Sequence, residues 1–179
     1  MKCLLSLFLI LTVVSCNSNK KQTLQNQSID TWQIENYTNE WGEKTNLSFV
    51  LRHCKGKFSN SFATDAPLDA ELIINKKDIS IKLYEYGDML LKEEGKAFIT
   101  VRDKDKKEHR EDFDNSLNNG ELGLWGKSQA MVRSALLKGG RVMFRIQIKN
   151  DGFWVGTYIF EVPNADGLKE ALSKTRYYK

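Results

Sequence analysis

Arg52, His53 and Cys54 stand side by side and bring together a cation, a base and a thiol, the parts of a cysteine nucleophile. Consecutive residues of a strand point to opposite faces, so His53 would not activate Cys54 directly. The other histidine, His109, falls in the charged stretch DKDKKEHRED. Cys54 is therefore expected to act as a small packed hydrophobe. Asp103 and Asp105 form a D-x-D pair, but Lys104, Lys106 and Lys107 crowd it and no third ligand has calcium-loop spacing. That pair reads as a solvated hairpin tip. A chain this poor in histidine and thiol does not suggest a zinc centre. Glu93-Glu94 and Asp112/Asp114 could be imagined as a carboxylate pair, but the sequence does not set their separation. No G-x-S-x-G, P-loop or H-E-x-x-H motif occurs. The expectation is a non-enzymatic chain with no cofactor and no metal.

Other residues suit recognition better than catalysis. Residues 56–68, GKFSNSFATDAPL, place Ser59, Asn60, Ser61, Thr64 and Asp65 among aromatics. They form either a recognition loop or a locally hydrogen-bonded crossing between sheets, because Ser and Asn readily satisfy backbone groups in irregular segments. Trp41 and Trp125, each beside a glycine, are candidate exposed contacts, with core packing or loop anchoring as the alternative. The candidate binding set is thus Trp41, Ser59, Asn60, Ser61, Asp65 and Trp125.

The chain's longest apolar run, Leu4 to Val14, follows a single lysine, Lys2, and ends at Cys16. Eleven helical residues reach about 16 Å, against a hydrocarbon core about 30 Å thick. The run is too short to span a membrane and suits the apolar region of a signal peptide. Val13-Val14-Ser15-Cys16 resembles the bacterial lipoprotein box: two aliphatics, a small residue and the modified cysteine. The resemblance implies a signal peptide over 1–15, cleavage before Cys16 and lipid on its thiol. Two or three acyl chains exceed the threshold for stable anchoring, so the implied partner is a membrane. Asn17 stands where aspartate signals inner-membrane retention, which favours the outer membrane, facing the periplasm. The polar run that follows makes 16–29 a flexible linker.

Lys2 is the only charged residue before Cys16, so the formal charge falls from +4 to +3 on cleavage. That is too mild for a nucleic-acid binder. The remaining length, 30–179, suits one domain with its own core. Cys3 leaves with the signal and Cys16 carries lipid, so Cys54 has no partner for a disulfide within the chain.

Short alternating runs and only two prolines point to antiparallel β-structure. Residues 30–37 form a first strand, and 39–46 a turn around Gly42. LSFVLRHC puts Leu47, Phe49, Leu51 and His53 on one face. Residues 70–75 and 79–86 form a hairpin over a Lys-Lys-Asp turn, with Ile79, Ile81 and Leu83 on one face. KAFITVRD is a further strand, and DKDKKEHRED a polar turn. Ser128 caps a short helix over 129–138, with Val132, Ala135 and Leu136 on one face, closed by Gly139-Gly140. RVMFRIQIK and FWVGTYIFEV make a hairpin whose apolar match favours a three-residue loop, Asn150 to Gly152, setting Ile148 opposite Trp154 and Phe144 opposite Tyr158. Asn164 or Asp166 caps a closing helix bearing Leu168, Ala171 and Leu172. The predicted fold is mainly β: an antiparallel β-sandwich, or β-rich α+β domain, with one short mid-chain helix and a C-terminal helix.

NEWGEKT, GKFSNSFAT and KGGRVMFRI…GTYIFEVPNADGLKEAL together resemble a group of uncharacterised bacterial secreted proteins and lipoproteins with an FSNSAT-type phrase. Here Phe62 is inserted before Ala63-Thr64. The closing hairpin and G-L-x-x-A also resemble, distantly, the end of invasion-associated locus B proteins. Neither likeness implies an activity or catalytic residues. The functional expectation is a lipid-anchored envelope protein that binds another envelope protein, for example as an immunity or inhibitor module. The alternatives are an envelope hydrolase with an unrecognised carboxylate site and a structural part of an outer-membrane complex.

Overall fold

The computed structural model describes residues 31–86, 88–89, 95–115, 121–150 and 153–177. The expected signal peptide, Cys16, the linker, Glu93, Glu94, Asp151 and Gly152 lie outside the described residues, as does the side chain of Asp114. Among the described residues, ten strands and two helices follow one another. They are β1 (Gln33–Thr38), β2 (Lys44–Asn60), β3 (Ala66–Ile74), β4 (Ile79–Glu85), β5 (Asp88–Met89) and β6 (Gly95–Arg102). Then come β7 (Glu108–Asn115), β8 (Glu121–Leu124), α1 (Gly126–Leu137), β9 (Val142–Asn150), β10 (Phe153–Val162) and α2 (Leu168–Lys174).

The fold is mainly β and antiparallel, as expected. Its strands join one continuous sheet in the order β5-β4-β3-β2-β10-β9-β6-β7, with β1 beside β2 and β8 beside β4. β7 comes back toward β8 and α1, so the sheet nearly closes into a barrel instead of dividing into the two layers of a clear sandwich. Strand β2 makes this possible. One of its edges pairs with β3; along the other, residues up to Leu51 pair with β1 and residues from Gly56 pair with β10. Gly56 sits where the partner changes. A Cβ there would lie 2.1 Å from the Ile159 carbonyl oxygen and 2.7 Å from the Phe160 Cβ. A strand glycine marking close backbone approach is the physical meaning of that position.

The core fills the barrel from strands on both sides. Ile79, Ile81 and Leu83 share one buried cluster with Ile99, Val101, Phe144 and Phe160, and the Phe144 and Phe160 rings stack at 4.9 Å. Helix α1 adds Val132, Ala135 and Leu136, and α2 adds Leu168 and Ala171. The 70–86 hairpin forms as expected, with Asn75 donating its amide to the Asp78 carbonyl. The alternation of β2 also holds, but the buried side carries Val50, Arg52, Cys54 and Phe58, while Leu47, Phe49, Leu51 and His53 lie half-buried outside.

Several local expectations are corrected. DKDKKEHRED is not all turn: only the five residues 103–107 are, and β7 starts at Glu108. β8 was not foreseen. Helix α1 begins at Gly126, and Ser128 donates its hydroxyl back to the Trp125 carbonyl at 2.8 Å instead of capping. Helix α2 is preceded by Gly167 at φ +83, while Asp166 accepts the Gly140 amide at 3.0 Å. The last hairpin pairs Gly156 with Ile148, Tyr158 with Ile146 and Phe160 with Phe144, not Ile148 with Trp154. Phe153 pairs with Asn150, and the register shifts between Trp154 and Gly156, leaving Val155 as the extra residue of a bulge. The bulge lets a short loop coexist with apolar matching on the buried face.

Gly56→Ala should lower stability by roughly 3 kcal/mol, because the Ile159 carbonyl and the Phe160 Cα are backbone atoms, the Phe160 Cβ is fixed to them, and none can step aside. Urea unfolding should show a lower midpoint at unchanged slope.

Candidate functional site

The reactive-looking residues are structural. Cys54 is 3% exposed, and burial pushes its thiol up to about 12 against the opposing pull of Arg52. His53 points to the other face, with Nδ1 3.4 Å from a Glu71 carboxylate oxygen. A protonated thiol inside a barrel and an imidazole outside it form no nucleophile–base pair.

Asp103 is not the solvated tip expected. It is buried, and its carboxylate accepts the amides of Asp105 and Lys107 at 3.0 and 3.1 Å. Lys138, at the end of α1, donates to it at 2.6 Å. The Lys138 hydrogen bond holds the Asp103 carboxyl below its ordinary range, and Asp103 in turn raises Lys138. This residue ties the β6–β7 turn to the helix and accepts from three donors, so it is committed to structure.

Residues 59–65 close the β2–β3 hairpin. Asn60 Oδ1 accepts the amides of Phe62 and Ala63, both at 2.9 Å, and Ser59 Oγ accepts that of Asp65 at 3.0 Å. Asp65 takes φ +53 and pairs with Lys57 at 2.8 Å. The local hydrogen bonding is as anticipated, but the segment links two neighbouring strands instead of crossing between sheets. It props up Phe62, which is 96% exposed. Tyr86, at the end of β4, and Phe153, at the start of β10, are also exposed at this end of the barrel. In the sheet order β4-β3-β2-β10 these three aromatics sit on the tips of adjacent strands. The edge of the Phe58 ring meets Tyr86 at 5.2 Å, which roots the cluster in the core.

Trp41 and Trp125 lie toward the opposite end. Trp41 tips the β1–β2 turn, where Asn39 Oδ1 accepts the Trp41 and Glu43 amides and Gly42 takes φ +77. The Trp125 ring rests on Gly123, where an added Cβ would stand 3.0 Å from Cζ2. Both indoles are largely exposed. The candidate binding residues therefore divide: Ser59, Asn60, Ser61 and Asp65 belong to one end, Trp41 and Trp125 to the other.

Trp125 borders a cleft of about 570 Å³ on the sheet face opposite the core, lined from β1, β2, β3, β4 and β8. Tyr37 and Phe49 form its aromatic wall at 4.7 Å between ring centres. Asn75 donates to the Tyr37 hydroxyl at 3.0 Å, and Tyr177 from the chain's end donates to Asp78 at 3.2 Å. Along the polar wall, Ser80 donates to Glu121 at 3.1 Å and Lys82 pairs with the same carboxylate at 3.0 Å. The register continues this row outward, Glu121 opposite Lys82, Lys82 opposite Glu71 and Glu71 opposite His53. Tyr84 donates to Glu71 at 3.0 Å, and its phenol is raised first by burial and then by that carboxylate.

No protein family matches this chain, and no curated protein or solved structure matches it.

Two outcomes test the structural assignments. Cys54 should resist a thiol reagent in the native protein and react fully once the chain is unfolded in denaturant. A depressed folded-state pKa for Asp103 makes its contribution complete above the ordinary carboxylate pKa of about 4 and lost as pH falls through the lower folded value. Asp103→Asn should therefore be less stable than the wild type at pH 7, and urea titrations at decreasing pH should show the gap narrowing below about pH 4.

Proposed function

We propose that this chain is a lipid-tethered, non-enzymatic binding module of the bacterial cell envelope, held at the outer membrane through Cys16 and facing the periplasm. Its partner is another envelope protein, and the role is that of an immunity or inhibitor module. The observation that carries this reading is the trio Phe62, Tyr86 and Phe153, exposed together at the barrel end away from both helices. Large aromatics supply contact area at little conformational cost, and few residue types contribute as much at protein interfaces. Polar groups surround them: Asn60 donates to Glu85 at 3.1 Å, Tyr158 donates to the same carboxylate at 2.6 Å, and Lys57 pairs with Asp65. An apolar centre within a paired polar rim is the anatomy of a protein contact.

The tether fits this role. The lipobox resemblance supplies attachment, and a polar leader of about a dozen residues lets the barrel reach laterally from the bilayer. Confining a binding module to one membrane raises its effective concentration toward partners in the same compartment.

The experiment is a detergent-solubilised pull-down of the full chain from its own envelope. One protein should co-purify in stoichiometric amount. Replacing Phe62 by Ser, or Tyr86 by Ser, should each weaken recovery by about tenfold or more, the size of an interface hot spot, with the unfolding midpoint unchanged for Phe62→Ser, whose ring is 96% exposed. Recovery of lipid and background alone would end the partner-binding reading. Separately, Cys16→Ser should give an unlipidated chain that leaves the membrane fraction.

A further inference from the structure

We propose that the cleft beside Trp125 is a second binding site, and that it takes an uncharged pyranose oligosaccharide. The site is distinct from the aromatic end used for the protein partner and does not depend on it.

Size comes first. The cleft volume of about 570 Å³ falls inside the span of roughly 300–1,000 Å³ usual for small-molecule sites. Two or three sugar rings, not a protein helix or a single ion, match that space.

The walls then select the chemistry. Trp125 is 63% exposed, yet its ring lies on Gly123. One indole face is thus fixed against the sheet while the remainder stays open to solvent. Tyr37 and Phe49 add a second aromatic surface, tilted 56° to each other. Flat aromatic faces suit the C–H face of a pyranose, which is apolar although its rim is all hydroxyl. The other wall presents that rim with donors and acceptors in alternation. Lys82 has three N–H donors and uses one on Glu121; Glu121 accepts from Lys82 and Ser80 and retains further lone pairs. The Tyr37 hydroxyl accepts from Asn75, which leaves its own hydrogen to donate.

Charge narrows the choice. Lys82 and Glu121 neutralise one another, and Asp78 contributes a further carboxylate, so the lining carries no positive excess. A phosphate or a nucleotide would meet carboxylates without a free cationic clamp. A fatty chain would leave the Ser80, Lys82 and Glu121 groups desolvated against hydrocarbon, at a cost. A neutral polyol avoids both penalties.

Preorganisation supports binding. The cleft floor is the hydrogen-bonded sheet itself, and its far rim is held where Arg133 of α1 donates to the carbonyls of Asn75 and Asp78 at 3.0 and 3.3 Å. Walls already in place cost little ordering on association.

The test uses the full chain in detergent, titrated with chitotetraose, maltotetraose and inorganic phosphate by calorimetry and tryptophan fluorescence. Saturable binding of at least one tetrasaccharide, with a fluorescence change, is expected; chitotetraose would point to cell-wall glycan and maltotetraose to a neutral glucan. Trp125→Ala should weaken it by about tenfold or more, Ser80→Ala should weaken it less, and Trp41→Ala should leave it unchanged. Trp125→Phe, which keeps a ring on Gly123, should restore part of the affinity. The proposal fails if neither sugar binds, if phosphate binds in their place, or if Trp125→Ala binds as tightly as wild type. Because Phe62→Ser lies at the other end, sugar binding should survive it, so the two sites fail separately.

Discussion

Strand β2 has to serve two partners along a single edge, and the rest of the molecule follows from how it does so. Up to Leu51 that edge belongs to β1; from Gly56 it belongs to β10. The handover brings two backbones together more closely than any side chain permits, which is why Gly56 faces the Ile159 carbonyl and the Phe160 Cβ at distances no substituted residue could tolerate. Beyond the handover the sheet turns through β10, β9, β6 and β7 and returns toward β8. Before it, β1, β3, β4 and β8 leave an outer face uncovered by either helix, and the cleft lies there. Closure of the core and exposure of the cleft are two results of one geometric demand.

That division also explains an inversion within β2. The face carrying Leu47, Phe49 and Leu51 is the more apolar, and hydrophobicity alone would bury it. The structure buries Val50, Arg52, Cys54 and Phe58 instead. Arg52 is tolerated because Trp32 lies over its guanidinium at 5.4 Å while the Trp32 indole donates to the Ala165 carbonyl. A guanidinium over an aromatic face is attracted by the ring, an interaction that needs no exposure. Phe49 is thereby left outside, where Tyr37 meets it and the two become one wall of the cleft. An aromatic withheld from the core without a role would be a cost in stability, since burying such a ring is worth a few kcal/mol, roughly 1.5–3.

What could be read from the chain, and what could not, has the same physical origin. The 70–86 hairpin was legible because its second arm alternates, its first is a short apolar run rich in β-formers, and an Asn-Lys-Lys-Asp turn divides them. The Val132, Ala135 and Leu136 face of α1 was legible from its helical spacing. β7 was not, because EHREDFDN has a single large apolar residue, Phe113, and charge runs look like turns until a neighbour such as β6 supplies the ladder. β8 is four residues long and holds Glu121, so the polar wall of the cleft was hidden with it. The Val155 bulge left no mark in the sequence pattern, since Gly156, Tyr158, Phe160 and Val162 alternate without a break beyond it and the change of partner parity shows only in the pairing. Trp41 and Trp125 were recognisable as surface candidates by composition, but their separation from Ser59, Asn60, Ser61 and Asp65 follows only from the length and coil of β2. Tyr37, Phe49 and Asp78 were missed as site residues because each reads locally as strand or turn.

The two ends of the barrel differ in how tightly they are held, and that difference bears on what each can bind. Around the cleft, the chain's C-terminal stretch is tied down twice: Ser48 and Arg176 exchange hydrogen bonds, at 2.8 and 2.9 Å, and Tyr177 reaches Asp78. Outside the cleft lining, Lys138, Asp103 and Asp166 bind the turns to the helices. Such a surface is suited to a small rigid ligand, for which misplacement by an ångström matters and preorganisation supplies affinity. At the opposite end the exposed rings stand on turns, rooted through Phe58 and Asn60 but free at their tips. Turns that keep an anchored base and an open crown can adjust side-chain rotamers against a larger, less regular partner without disturbing the barrel. A compact β-domain can therefore offer a stiff site and a compliant one without a second domain, provided that one long strand carries the connection between them.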